Sequence, residues 1–131
     1  MYDVTATGEL LIDFTRNGLS EQNNRIYEAN PGGAPCNVLA MLGKLGYKTA
    51  FIGKVGDDKF GKLLKNTISE QKIDSTGLVM DPDAKTTLAF VDNDETGDRS
   101  FSFYRKPGAD MMLREDEVNY ELIDNCRIFH F

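Results

Sequence analysis

Between Arg25 and Leu45 the apolar spacing changes period, and the change falls on Asn30-Pro31-Gly32-Gly33-Ala34-Pro35-Cys36-Asn37. Before this run, Arg25-Ile26-Tyr27-Glu28-Ala29 alternates as a half-buried strand does. After it, Val38, Met41, Leu42 and Leu45 recur at helical spacing, with Gly46 placed to stop the helix. Pro35 suits a first helical turn, where its missing N–H is not needed. The paired glycines carry no Cβ, so a ligand can approach the backbone closely. The helix start is therefore expected to direct unpaired backbone donors and the Asn37 amide at one point, the outline of a polar-ligand site.

The same alternation of periods runs through the chain. Asp3 to Phe14 reads as strand, bend, strand, broken at Gly8-Glu9, and Arg16 to Asn24 as polar and turn-like. Thr49 to Val55 is a strong strand. Gly56-Asp57-Asp58 leads into a helix with Phe60, Leu63, Leu64, Thr67 and Ile68 on one face, capped by either aspartate. Thr76 to Met80 is a short strand and Asp81-Pro82-Asp83 a turn. Thr87 to Val91 and Ser100 to Tyr104 flank a charged hairpin tip over 92–99. That tip superficially matches a calcium loop, but the glutamate an EF-hand needs at its twelfth position is Phe103 here. Leu113 to Ile123 is expected to be helical, and Cys126 to Phe131 a buried strand with His130, the only histidine, as a sheet residue without metal-spaced partners. The β-α-β-α rhythm predicts an α/β fold: a mostly parallel sheet flanked by helices. The extended pairs at about 12–29 and 87–104 stand outside it and predict a small separate β layer.

A chain of 131 residues is long enough for one domain. Its formal net charge of −6, with Lys and Arg scattered, argues against a nucleic-acid partner. No run approaches the ~20 apolar residues of a membrane span, and the N-terminus lacks an export pattern. Cys36 and Cys126, far apart, read as free thiols, so a cytoplasmic protein is expected. The apolar run at the end of the chain predicts an uncovered strand, which marks this chain as the N-terminal part of something larger.

Several segments together resemble the ribokinase-like (PfkB-type) carbohydrate kinases. They are Gly8-Glu9-Leu10-Leu11-Ile12-Asp13-Phe14, Gly32-Gly33-Ala34-Pro35-Cys36-Asn37 with Gly46 and Gly56, Gly56-Asp57-Asp58-Lys59-Phe60-Gly61, Phe101-Ser102-Phe103-Tyr104-Arg105 and Gly108-Ala109-Asp110. The Gly-Glu-x-x-Ile-Asp and Gly-Gly-Ala-Pro versions resemble the fructokinase branch. Leu39 departs from the family's small residue two after Asn37. The family's second signature, a Gly-Ala-Gly-Asp run with the catalytic base and anion hole, is missing, as are the nucleotide-binding segments.

From spacing alone Asp13 is as readily a turn cap as a ligand residue; the resemblance implies an acidic sugar ligand. It likewise implies that Gly32 and Gly33 admit the ligand, that Asn37 offers an amide to sugar hydroxyls, and that Arg105 reaches over the sugar from a β lid. Phe103 shares a strand face with Arg105 and either stacks on the sugar or belongs to a lid or dimer core. Asp110 is either near the substrate or a loop cap.

The resemblance thus implies a parent enzyme using ATP and Mg2+ to phosphorylate a primary hydroxyl of fructose or a related sugar, dimerising through its lid. This chain would hold the substrate side, 1–131, with no catalytic residue and no activity alone. The alternatives are a kinase for ribose, a riboside or 2-keto-3-deoxygluconate, or a non-catalytic sugar-binding or dimerisation module. Leu11 and Ala34, where ribose-specific relatives tend to be more polar, favour fructose.

Overall fold

A computed structural model describes residues 1–93 and 95–131, and Asp94 of the expected hairpin tip lies outside them. The chain builds two four-stranded sheets. The first holds β1 (Tyr2–Thr7), β4 (Thr49–Gly56), β5 (Ile73–Asp81) and β8 (Cys126–His130) in the order β5-β4-β1-β8, every pair parallel. The second holds β2 (Leu11–Leu19), β3 (Arg25–Gly32), β6 (Leu88–Asn93) and β7 (Arg99–Tyr104) in the order β3-β2-β6-β7. Its outer pairs are antiparallel and its central pair, β2 with β6, is parallel. Pro31 sits on the edge strand β3, where a missing donor costs no ladder bond. β2 runs on to Leu19, past the segment expected to turn, because Arg16 and Leu19 still pair with β3 across an irregularity.

Helices α1 (Ala34–Lys44) and α2 (Lys59–Glu70) join these strands. β4 is buried along its whole length, and the core gathers Phe51, Val55, Leu39, Leu64 and Ile68 around it. Leu39, the departure from the family pattern, is fully buried here and fills core volume. The face of α1 agrees only in part with the one its spacing predicts: Leu42 packs against the core, but it does so beside Pro35, Cys36 and Leu39, whereas Val38, Met41 and Leu45 are exposed. Helical periodicity identifies a helix but leaves open which of two adjacent stripes meets the sheet. α2 buries Gly61, Leu64 and Ile68, and Phe60 meets Phe14 of β2 edge-on at 5.5 Å.

Asp58 joins the sheets. Its carboxylate accepts the Gly61 amide that starts α2 (2.8 Å), the Thr86 amide (2.9 Å) and the Thr86 hydroxyl (2.7 Å) just before β6. Space for this is made by glycine, since a Cβ on Gly56 would lie 2.3 Å from Asp58 Oδ2.

The expected helix over Leu113 to Ile123 is instead a 3₁₀ turn at Glu115–Glu117 and a short α3 (Tyr120–Asp124). The reason is tertiary. Lys54, buried in β4, reaches Glu117 Oε2 at 2.8 Å, Asp81 Oδ2 at 3.3 Å and the Met112 carbonyl at 3.2 Å. Glu117 also accepts the Arg114 amide at 3.0 Å, which bends the segment where a helix would continue. β8 is a parallel strand as expected, but it is the sheet edge and is mostly exposed, with Ile128 60% accessible.

Candidate functional site

The second sheet lines up the candidate side chains by register alone. Asp13 of β2 stands opposite Asn30 of β3 and Ala89 of β6, and Ala89 opposite Phe103 of β7. Alternation along β2 turns Ile12 and Phe14 into the core and leaves Leu11 and Asp13 on the other face. That face forms one wall of a cleft of about 580 Å3. The opposite wall is Gly8 and Glu9, directly after the carboxyl end of β1, and Gly33, Ala34 and Asn37 at the start of α1. Open α/β sheets place ligand crevices at the carboxyl ends of their strands.

Asp13, Gly33, Asn37, Phe103, Arg105 and Asp110 all line this cleft. Gly32 does not. It is buried behind Asp13, and a Cβ there would lie 2.2 Å from Asp13 Oδ2, so its role is to admit the aspartate side chain. Gly33 has φ 123, and a Cβ on it would lie 2.4 Å from the Glu9 carbonyl, so it lets the β1–β2 connection reach the helix start. The paired glycines thus seat protein groups against one another, and Gly33 also lines the cleft.

The Asp13 carboxylate has no hydrogen-bond partner among the described residues, and its burial raises its pKa above the ordinary aspartate value. It is a partly buried acceptor that faces the cleft without a protein partner. The helix start is less open than expected. Glu9 Oε1 accepts the Ala34 backbone N–H at 3.1 Å, Pro35 has no N–H, and the Asn37 backbone N–H returns to the Gly33 carbonyl, leaving its side-chain amide in the cleft. Cys36 is buried beside Glu9, and burial followed by that carboxylate's charge pushes its thiol up to about 12, so it is inert. Cys36 and Cys126 are both free.

Arg105 ends the far wall. Its guanidinium lies 5.1 Å from the Phe103 ring centroid and pairs with Asp110 Oδ2 at 3.0 Å. The other Asp110 oxygen accepts the Thr87 hydroxyl, and the Ala109 amide holds the loop to the Lys85 carbonyl. The Arg105 Nε is buried without a partner among the described residues. Beyond Asp13 a smaller hollow of about 360 Å3 continues along the same sheet face past Thr15, Val91 and Phe101.

Sequence reasoning assigns no role to Glu9 or Thr87 and leaves the Arg105–Asp110 pair unseen. The Gly8-Glu9 motif is the available signal for the first; a spacing of five on an irregular loop gives none for the pair. Among the described residues no three His, Cys, Asp or Glu side chains converge as a metal site, and no helix is long and apolar enough to cross a membrane.

A parallel sheet flanked by helices, a second mixed sheet, and a polar cleft define an α/β protein of ribokinase-like architecture. The chain belongs to the pfkB family of carbohydrate kinases, whose description matches residues 1–131. Over 130 residues it is 45% identical to probable fructokinase-6, chloroplastic, of Arabidopsis thaliana, an alignment covering 98% of this chain and 34% of that protein. It is likewise 45% identical to fructokinase-1 of Zea mays, covering 98% of this chain and 40% of the maize protein. The crystal structure of fructokinase from Xylella fastidiosa superimposes with a TM-score of 0.91 at 36% identity, over 99% of this chain and 41% of that one. A second structure of the Xylella enzyme, with bound ATP, superimposes with a TM-score of 0.89 over 99% of this chain and 42% of that one. The chain therefore spans between a third and two-fifths of the length of the curated relatives named here.

Proposed function

We propose that this chain is the sugar-binding part of an ATP-dependent kinase that phosphorylates a primary hydroxyl of fructose or a closely related sugar. The observation that carries the reading is the unpartnered Asp13 carboxylate, facing the same cleft as Asn37, Phe103 and Arg105. The two Asp13 oxygens would accept hydroxyl protons from neighbouring sugar carbons, the Asn37 amide would add a further polar contact, and the Phe103 ring would lie against an apolar sugar face. Phosphoryl transfer depends mainly on positioning, so a hydroxyl fixed in this way is this chain's contribution to the rate. The β2-β3-β6-β7 sheet, with 12–29 and 87–104 as its working parts, would act as a lid that keeps water from the transferred phosphoryl group.

In this reading ATP and Mg2+ are not assigned to residues of this chain. No three His, Cys, Asp or Glu side chains converge to hold a metal ion among the described residues, and Glu9 already occupies the first amide of α1. Both would be held by residues outside this chain, which is why the chain alone is expected to be inactive. A homodimer through the second sheet belongs to the same reading, supported by the exposed Phe101, Phe103 and Tyr104 on β7. A cytoplasmic location is supported by the two free thiols.

The test is ATP-dependent phosphorylation of a sugar panel by the full reading frame that carries this chain, with Asp13→Ala beside it. Hydrogen bonds to a charged group contribute about 1.5–3 kcal/mol each, so losing two is expected to lower kcat/KM for fructose about hundredfold or more. An Asp13→Ala enzyme with unchanged kcat/KM, or a parent that phosphorylates none of the sugars, would overturn the proposal.

A further inference from the structure

We propose that Asp110 sets the charge preference of the cleft, making it select neutral sugars and reject sugar acids by holding Arg105 in an ion pair. The inference rests on the reading of the cleft as a sugar site. Arg105 is the single cation lining that cleft among the described residues. Taken alone it would attract a substrate carboxylate, because a guanidinium fork matches one in geometry and charge.

It does not stand alone. The Asp110 carboxylate lies 3.0 Å from its Nη2, and the Asp110 side chain is only 3% exposed, so the pair forms out of solvent on one side. Asp110 cannot easily turn away, since Thr87 donates to its second oxygen and the Ala109 amide anchors the loop to Lys85. A Cβ on Gly108 would collide with the Thr87 hydroxyl, so the loop is seated closely against β6.

The rest of the cleft is negative or neutral. Glu9 and Asp13 line it with no second cation to balance them. The start of α1, which elsewhere attracts anions, has its Ala34 amide committed to Glu9. A sugar acid entering here would bring a further carboxylate into a cleft already lined by three carboxylates and one guanidinium. A neutral sugar meets no such repulsion and can still use the exposed donors of the Arg105 guanidinium, whose side chain is 29% accessible. Asp110 is therefore a positioning residue: it acts through Arg105 by neutralising the charge while leaving the donors.

D-Fructose and 2-keto-D-gluconate share a carbon skeleton and differ in whether C1 is a hydroxymethyl group or a carboxylate, which makes them the probe pair. Calorimetric titration of the full reading frame is expected to show fructose binding at least tenfold tighter than the acid. Asp110→Asn keeps an amide oxygen toward Arg105 and removes the charge, so the fructose-to-acid ratio should fall at least tenfold, chiefly by tighter binding of the acid. Adding Arg105→Gln to that variant should abolish the gain. A loss of fold or of general affinity would not move this ratio in favour of the acid.

A ratio unchanged within twofold in a folded Asp110→Asn protein overturns the inference. If that variant does not fold, the wild-type ratio decides, and a value near one overturns it as well. Fructose bound with the acid bound equally well sinks only the charge preference, whereas a wild-type protein that binds neither sugar sinks the sugar-site reading together with it.

Discussion

Gly32 and Asp13 occupy one volume: a Cβ on Gly32 would lie 2.2 Å from Asp13 Oδ2 and 3.0 Å from its Cγ. The glycine is needed here for space, since the aspartate side chain fills the place a methyl group would take. Its neighbour Gly33 is needed for both space and its positive φ.

Gly32→Ala should consequently separate stability from binding. The aspartate can swing aside, so the melting temperature should fall by no more than a few degrees, corresponding to about 1 kcal/mol in a domain of this size. The displaced carboxylate should raise KM for the sugar at least tenfold, about 1.4 kcal/mol. Kinetics and a thermal melt on the same preparation check this, and an unchanged KM would contradict the placement of Asp13.

Asp13→Asn should lose binding without losing stability. Burial raises the Asp13 pKa, so folding favours the protonated carboxyl, and the charged form at neutral pH is a cost to the fold. A neutral isostere removes that cost. The expected melt is equal to or above wild type, while sugar affinity drops. By the same sign, sugar binding in the wild-type protein should weaken as pH falls through a value above that of an exposed aspartate. A destabilised Asp13→Asn protein would count against the partly buried, unpartnered carboxylate.

Asp58→Ala removes a helix cap and the tie to Thr86 together. The cap contributes about 1 kcal/mol, and an abandoned buried amide costs about 1–3 kcal/mol more, so a loss of roughly 2–4 kcal/mol in urea unfolding is expected. The Asp58 pKa is lowered: burial raises it, but the bonds from Thr86 and Gly61 outweigh burial. Stability from this group is therefore fully present above the unfolded aspartate value and lost as pH falls through the lower folded value. The wild-type curve should decline on the acid side, and that decline should be shallower in Asp58→Ala. Parallel acid curves would show that Asp58 does not carry this linkage.

Lys54→Met should be more costly than Glu117→Gln. Removing the buried cation leaves Asp81 and Glu117 without their partner, and breaking a buried ion pair on one side costs about 3–5 kcal/mol. Glu117→Gln keeps an oxygen toward Lys54 and the Arg114 amide, and Lys54 retains Asp81, so a loss nearer about 1 kcal/mol is expected. Urea midpoints in the reverse order would refute the view that Lys54 anchors the segment after β7.

Much of the architecture is legible in the order of residues alone. The change of period at Pro31 to Pro35, the run Thr49 to Val55, and the cap at Asp58 each have local causes, and each forms the expected element. The family resemblance supplies the candidate residues, and register across β2, β6 and β7 brings Asp13 and Phe103 to one face. Leu113 to Ile123 departs from its helical pattern because Glu117 answers to Lys54, 63 positions earlier, and no local pattern reports that. The buried stripe on α1 keeps Leu42 but takes Leu39 in place of Val38, because these two are equally apolar neighbours and only the sheet beneath distinguishes them.

The sequence by itself determined most of the strands and helices and, through the family resemblance, which side chains are candidates for the cleft; the stretch after Arg16 and the segment from Leu113 to Ile123 it did not determine. The elements it did determine follow from periodicity, capping and the freedom of glycine, all properties of neighbouring residues. Only the tertiary structure decided that Gly32 makes room for Asp13, that Glu9 occupies the head of α1, and that Asp110 neutralises Arg105. Those are contacts between separate elements, set by strand order and register, and the free energy that selects them comes from the whole packed assembly.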